Sequence, residues 1–505
     1  MINQRRAGAM LSYLYIAVNT LTVIVYQKIV IGMLGESEYG LYQLAASIIN
    51  YLSVMDLGFN SGIVTYTAKY RATEREADVK KLHGMFMVIF CGIGIVAVLI
   101  GSVITLNVQT FFAASMTATE IAKSRVIMAV LTVNLGLTFA LSIYNAIIVA
   151  YEKFIFVKIL TIVRSLLNPL IMIPLLWLGG DSITMVIVLS GVNVFCLLLN
   201  YLYSRVKLGV KVKYCGFDKA IFGEIFGYSI FIFLAEIVDK VNWTVDQIIL
   251  GVVSGTKQVA VYSVASTYNQ LVTNLSGCIS SVMLPGLAAM VARGEDDSRI
   301  NDLFIKSSRI QIYTILMVFC GFALVGREFV LWHAGKECID AYVVALILMG
   351  GALIPITQSV AIAIVKAKDK FKFRAILLFC MAVANVGISI PLAMKFGSIG
   401  SAVGTAIALV FANIIIINIY YQKKCGIDMV RYWKTFITMT LKFIPSVAVI
   451  VVLKMFLPLA GILSVFVYGA VFVCLYGLTA YFFVMNGYEK DLTNKYLGKV
   501  LRFIH

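Results

Sequence analysis

The sequence predicts an all-α polytopic membrane protein, and three observations carry the prediction. Hydrophobic residues fill 61% of the 505 positions and charged residues only 13%, at a mean hydropathy of +0.94. No long polar stretch is left from which a soluble domain could be built. Fourteen apolar segments, each long enough to cross a bilayer as a helix, follow one another along the chain. Residues of the first half also recur in the second at a fixed offset. The predicted architecture is two pseudo-symmetric six-helix lobes, 1–215 and 216–425, then two further transmembrane helices and a cytoplasmic tail over 426–505.

The spans fall at about 9–34, 41–66, 82–106, 126–149, 156–178, 183–203, 224–252, 259–290, 309–332, 341–365, 375–395, 398–421, 436–457 and 461–485. Arg5 and Arg6 precede the first, whose apolar run is followed by no small-residue cleavage site. That predicts a spanning helix rather than a cleaved signal, with the arginine pair as a topology anchor. With the N-terminus inside, 32 of the 42 Lys and Arg lie on inner flanks and seven on outer flanks. Three, Lys28, Arg164 and Lys240, lie within spans. This bias predicts a multi-pass protein of the cell (inner or cytoplasmic) membrane with both termini cytoplasmic. The net charge of +17 then marks a surface facing anionic lipid, not nucleic acid.

Nine cysteines, an odd number, form no CxxC pair and sit almost entirely in apolar runs. They read as small core hydrophobes. The three histidines, His83, His333 and His505, are far apart in sequence. No metal site and no cofactor is expected.

The repeat has an offset of 217. Ala150-Tyr-Glu-Lys-Phe-Ile-Phe-Val-Lys-Ile159 aligns with Ala367-Lys-Asp-Lys-Phe-Lys-Phe-Arg-Ala-Ile376, Asn168 with Asn385, and Ile173-Pro174-Leu175 with Ile390-Pro391-Leu392. Six spans per copy is an even number, so the copies share one orientation and relate by an axis along the membrane normal. All seven prolines lie in spans or at their edges, where they permit kinks.

One stretch is too polar for its setting. Glu236, Asp239, Lys240, Trp243 and Gln247 share one arc of about 100° on a helix, with Asp246 at its edge. Facing lipid, the four ionisable residues of this stretch would cost on the order of 10 kcal/mol. The arc must therefore face protein or water, and it predicts the wall of a central cavity for an amphiphile with an anionic head. In the second span Asp56 shares a side with Asn50, Ser53 and Asn60. A carboxylate at such depth can exchange a proton or bind Na+, or it can hold helices together as an ion pair.

The order and spacing of Leu34-Gly-x-x-x-Tyr-Gly-x-Tyr42, Met55-Asp-Leu-Gly-Phe59, Asp246-Gln-x-Ile-Leu-Gly251 and Tyr262-x-x-Ala265 resemble those of the polysaccharide and O-antigen (Wzx-type) flippases. These belong to the multidrug/oligosaccharidyl-lipid/polysaccharide exporter superfamily. The resemblance covers the first twelve spans, and only some members carry the last two. It implies a MATE-like two-lobe transporter that flips a polyprenyl-pyrophosphate-linked oligosaccharide, a polysaccharide repeat unit, to the outer leaflet by alternating access. An H+ or Na+ gradient is the candidate driving force. Expected partners are that lipid-linked sugar, membrane lipids and other polysaccharide-assembly membrane proteins.

Such a task needs cations to offset a pyrophosphate in the cavity. Lys28, Arg164 and Lys240 are the candidates, although Lys240 could also simply pair with Glu236 at i,i+4. Asp56, Glu236, Asp239 and Asp246 are candidates for ion coupling or ion pairs. Ser266, Gln270, Thr273, Asn274 and Ser281 line one side of the eighth span, with Tyr268 and Asn269 beside them. Tyr268, Asn269, Asn274 and Trp243 are the expected sugar contacts, although Ser, Thr and Asn also serve as glue between helices. Arg327 and Glu328 are expected to form an interfacial pair. Asp296 and Asp297 are expected to form a solvated cluster with Arg293 and Arg299.

Two rival transporters stay open at this point. A multidrug antiporter would favour a negative cavity, and three cations against four acids do not choose; a lipid II or teichoic-precursor flippase differs mainly in cargo. An enzyme is not expected, because the longest outer segment, about 107–125, holds one acid, Glu120, and no nucleophile–base constellation stands out. A channel would need a ring of filter loops that one twofold repeat does not supply.

Overall fold

The computed structural model describes residues 4–494 apart from Asp369, Tyr488 and Leu492. Several side chains within 231–243 and 278–292, among them those of Asp239, Trp243 and Ser281, lie outside the description. Every element among the described residues is helical, and none is a strand. In chain order the helices are α1 (Gln4–Leu34), α2 (Glu36–Leu52), α3 (Phe59–Ala72), α4 (Glu76–Leu106), α5 (Val108–Phe112), α6 (Ala118–Ala150), α7 (Phe154–Trp177), α8 (Ser182–Val206) and α9 (Lys219–Val253). There follow α10 (Thr256–Ala292), α11 (Asp297–Ala334), α12 (Ala341–Thr357), α13 (Ser359–Ala367), α14 (Phe371–Leu409), α15 (Ile417–Lys424), α16 (Met429–Phe456) and α17 (Gly461–Thr479). Among the described residues nine helical stretches are long and apolar enough to cross a membrane, ten if the bent α12–α13 pair is one span. Hydrocarbon offers backbone groups no partner, so helices that satisfy their own are the form such segments must take.

The chain divides into two compact units, Met1–Ser266 with Ala375–Thr405, and Thr267–Arg374 with Ala406–His505. In the first, α6 begins with a capping box in which Thr117 and Glu120 bond each other's backbone, and α8 begins with the same device built from Asp181 and Thr184. Phe59, Phe86, Phe90, Tyr70 and Ile143 form one buried cluster, with Phe59 and Phe86 packed edge to face at 5.2 Å. The span expected as continuous over 41–66 is broken. A 3₁₀ turn covers Ser53–Asp56, after which Leu57 and Gly58 take left-handed φ of 55° and 69° before α3 starts. Gly58 is required twice over, because a Cβ there would lie 2.8 Å from the Ser229 carbonyl oxygen.

In α14, Gly397 (φ 58°, ψ −136°) reverses the chain. Asn385 bonds Thr405 at 3.3 Å, Ser389 bonds the Ser401 carbonyl, and a Cβ at Gly400 would collide with the Leu392 carbonyl oxygen. These pairings are antiparallel, so α14 is a helical hairpin. The sequence repeat reappears in the helix boundaries: α6 ends at Ala150 and α13 at Ala367, α7 starts at Phe154 and α14 at Phe371.

In the second unit α11 runs beside α12, α16 and α17, where Phe443 and Tyr476 stack at 3.9 Å. Pro355 precedes a 44° bend between α12 and α13 at Gln358. The expected Arg327–Glu328 pair does not form: Glu328 instead binds Lys454 of α16 at 2.9 Å. Adjacent residues on a helix point about 100° apart, so neighbours in sequence cannot face each other. Asp297 is also less free than expected, since Lys368 binds it at 2.5 Å.

At the other end of α11 the half-buried Arg309 holds Glu489 through two bonds of 2.6 and 2.8 Å and also donates to the Val484 carbonyl. Burial would raise the Glu489 carboxyl, but Arg309, the Asn486 N–H and Tyr313 together hold it below the usual range. A depressed carboxyl stabilises the fold above its ordinary value and loses that contribution as pH falls through its lowered one. Acidification from pH 6 to pH 3 should therefore narrow the gap in Tm between the wild type and Glu489→Gln, read by thermal unfolding in detergent. A gap that stays constant over this range refutes the linkage.

Candidate functional site

Unit one places polar side chains where its helices are otherwise apolar. On α2 and α3, Asn50, Ser61 and Thr65 are exposed. Asp56 sits at the helix break and accepts from Asn60 Nδ2 at 2.7 Å. Glu236 on α9 is near enough to act electrostatically on both Asp56 and Lys240. This brings together three of the residues singled out in the sequence. Asp239 and Trp243, from the same arc, lie outside the described side chains.

Arg164 is exposed on α7 and makes no hydrogen bond or ion pair among the described residues. Its neighbour Ser165 donates to Asn19 Oδ1 at 3.1 Å, which fixes the rotation of α7 against α1. Lys28 is half-buried on α1.

Sequence reasoning missed a polar lattice joining α1, α2 and α9. Gln27 and Gln43 both donate to the Tyr39 hydroxyl, at 2.8 and 2.5 Å. Ser47 bonds the Gln43 carbonyl and Gln247 Oε1. The available signal was Tyr39, Gln43 and Ser47 at four-residue steps, one face of a helix.

Asp246 is 1% exposed. It accepts from Tyr262 Oη at 2.5 Å, Ser401 Oγ at 2.7 Å and Thr405 Oγ1 at 2.6 Å. Asn385 and Ser389 of the α14 hairpin complete this ring by bonding Thr405 and each other. No Lys or Arg pairs with Asp246 among the described residues. A carboxylate wrapped by neutral hydroxyls keeps its negative charge uncancelled, which leaves it able to take a proton or a small cation.

In unit two, Tyr268 and Asn269 are buried. The Tyr268 hydroxyl meets His333 Nδ1 at 2.6 Å, and its ring packs on Phe322 and Phe329. Asn274 is exposed and accepts from Gln270 at 2.9 Å.

A family model described as polysaccharide biosynthesis protein matches residues 6–291. The chain belongs to that family. It is also 20% identical over 398 residues to a Shigella flexneri protein named "Putative O-antigen transporter", covering 78% of this chain and 92% of that protein. Among solved structures, the lipid II flippase MurJ in an inward closed conformation superposes with a TM-score of 0.72 at 14% identity, over 94% of this chain and 98% of the other. An inward-facing MATE-family multidrug transporter of the MOP superfamily gives 0.68 at 13% identity, over 79% and 92%. These two likenesses establish the MurJ/MATE-like fold.

At the end of unit one remote from the N-terminus, this polysaccharide-biosynthesis protein knots four helix N-termini together. Glu120 Oε1 accepts from Ser37 at 2.6 Å and from Thr256 at 2.7 Å, so α2, α6 and α10 share one carboxylate oxygen. Lys123 bridges Glu38 at 2.5 Å and Asp181 at 3.4 Å, and Lys257 binds Glu36 at 2.7 Å. Acids at helix N-termini also meet the positive ends of the helix dipoles. A Cβ at Gly40 would collide with the Thr256 carbonyl oxygen, so α2 and α10 touch backbone to backbone. Gly40→Ala should therefore part them and lower Tm by several degrees, as overpacking of about 1–3 kcal/mol does. Gly32→Ala, which meets nothing within 4 Å, should leave Tm unchanged. Equal unfolding temperatures for both variants would remove the contact as a constraint.

Proposed function

We propose that this protein is a flippase that moves a polyprenyl-pyrophosphate-linked oligosaccharide from the cytoplasmic to the outer leaflet by alternating access. The observation that carries the reading is Arg164, exposed at mid-span with no acid paired to it among the described residues. A charge facing the bilayer centre costs about 2.5–3.5 kcal/mol on insertion scales, so an uncompensated one belongs beside water and an anionic cargo. Arginine's planar fork suits two phosphate oxygens at once. Lys28 and Lys240 add point charges to the same task. In unit one Asn50 and Gln43 offer amides to sugar rings, and in unit two Asn274 offers another; Trp243, Tyr268 and Asn269 are the remaining candidate sugar contacts.

Counting α2–α3 and α12–α13 as one span each, α9 and α10 as one each and the α14 hairpin as two gives fourteen spans. The recurrence of helix boundaries 217 residues apart supports two six-helix lobes, 1–215 and 216–425, with 426–505 appended. The basic flanks support a place in the cell membrane with both termini cytoplasmic. The knot around Glu120 then lies on the outer side. Asp246, with Asp56, Glu236 and Asp239, is the candidate group for H+ or Na+ coupling.

Deletion of the gene followed by lipid extraction tests the cargo. Accumulation of a cytoplasm-facing polyprenyl-linked oligosaccharide is expected; unchanged lipids with altered dye efflux would point to a multidrug exporter instead. Arg164→Ala and Lys240→Ala should each cut flipping of that lipid in proteoliposomes by tenfold or more with Tm unchanged. Wild-type rates in both variants exclude the cation grip.

A further inference from the structure

Between α6 and α8, both in unit one, lies an open apolar groove of about 560 Å³. Ala129, Val133 and Leu137 line it from α6, and Ile187, Gly191 and Val194 from α8. Elsewhere on α6, Leu135 and Phe139 pack with Ile49 of α2. A helix turns by about 100° per residue, so Val133 and Leu137 point about 160° away from Leu135. The groove therefore opens away from α2 and from the α9 helix packed on it, toward the surrounding hydrocarbon. No Asp, Glu, Lys or Arg occurs from Val126 to Ala150 or from Ser182 to Ser204.

Two polar side chains also line this groove, Asn134 and Ser190, and each has an unmatched atom. Asn134 Oδ1 accepts from Asn193 at 2.9 Å, but Asn134 Nδ2 makes no hydrogen bond among the described residues. Ser190 is 8% exposed, and its Oγ is buried without a partner. The helix Ala118–Ala150 extends equally far on both sides of Asn134, about 24 Å each way against a hydrocarbon core about 30 Å thick. Asn134 thus sits near the middle of the bilayer, which neither water nor the carbonyls and phosphate of a lipid reach. Only another protein segment can match its amide there. Close approach is unobstructed, since a Cβ at Gly191 would meet nothing within 4 Å.

The face that holds the groove also carries a ridge. Val126, Val130, Val133 and Leu137 follow at steps of four, three and four, the seam spacing of a left-handed helix pair. Val133 is 57% exposed and Leu137 42%. We propose that this face binds the same face of a second copy of the chain, the α6 ridge of each copy lying in the groove of the other. Two copies inserted in one orientation relate by a twofold axis along the membrane normal, so the contact is isologous and closes at a dimer. Asn134 is complementary to itself: Nδ2 has two hydrogens to give, and Oδ1 keeps a second lone pair after accepting from Asn193. Each Asn134 donates to its twin, the kind of side-chain bond that joins helices within membranes. Ridge and groove, donor and acceptor all lie on one face at one depth, which favours a second copy over a foreign helix. A lipid chain supplies no acceptor at all. Dimerisation through this face is independent of which cargo the protein moves.

The test uses the full chain, fused at its C-terminus to a donor or an acceptor fluorescent protein and reconstituted in liposomes over a range of protein-to-lipid ratios. Energy transfer in the wild type should rise with that ratio to the plateau of a dimer. Gly191→Phe fills the groove from its own chain, where nothing stands in the way. It should weaken association at least tenfold and leave Tm, read in detergent, unchanged. Asn134→Leu keeps the volume, removes the amide pair and should weaken association too. Because Asn134→Leu also loses the bond from Asn193, Gly191→Phe separates loss of the contact from loss of the fold. Wild-type energy transfer no higher than chance proximity at every ratio, meaning that lipid fills the groove, overturns the proposal. So does a dimer that survives Gly191→Phe, which must sit on another face, and so does association that appears only when a second membrane protein is added.

Discussion

A polar atom inside a bilayer has no partner except one that the chain brings to it, and the main features of this structure answer to that constraint. It dictates an all-helical chain. It also explains why helix ends carry their own acceptors, as Thr117 with Glu120 and Asp181 with Thr184 do. Where the chain must reverse between two helices, as at Gly397, hydroxyls and amides on the facing arms bond each other instead of facing hydrocarbon.

The constraint is met in three ways. Some polar groups are satisfied inside one unit: Asn193 donates to Asn134 at 2.9 Å and to Thr138 at 2.8 Å between α8 and α6. Others pin helix ends, as Lys454 with Glu328 pins α16 to α11 and Arg309 with Glu489 pins the segment after α17 to α11. A third set is left open. Asn50 and Arg164 are exposed, while Gln311 and Gln358 are buried with an amide atom unmatched.

Much of the fold could be read from residue order, because hydropathy and the offset of 217 depend only on composition along the line. The hairpin between 395 and 398 was visible as a gap between two apolar runs. The break after Asp56 was not, since Leu57 is an apolar residue with nothing in its type to announce a left-handed backbone. The bend at Gln358 left only Pro355 as a trace. The site was legible in kind and not in partnership. Asp246 stood out as a buried acid, but Ser401 and Thr405 lie 155 and 159 residues away, and no local pattern links them. Glu328 was assigned to its sequence neighbour when its partner is 126 residues distant. Long-range pairs are set by packing, which single-sequence periodicity does not encode.

The contrast between Asp246 and Arg164 bears on how such a protein can work. If a lysine neutralised Asp246, the pair would be closed and neither a proton nor a cation could exchange with it at modest cost. Hydroxyls stabilise the carboxylate without cancelling its charge, so the group remains responsive. If an acid neutralised Arg164, an anionic head would have to displace that acid before it could bind, and much of the attraction would be spent on the exchange. In the proposed flippase, a cation with no acid partner among the described residues keeps the whole attraction for the cargo. It also requires that the bare cation never face lipid, so the same uncompensated charge that attracts a head group obliges the helices to keep water beside it.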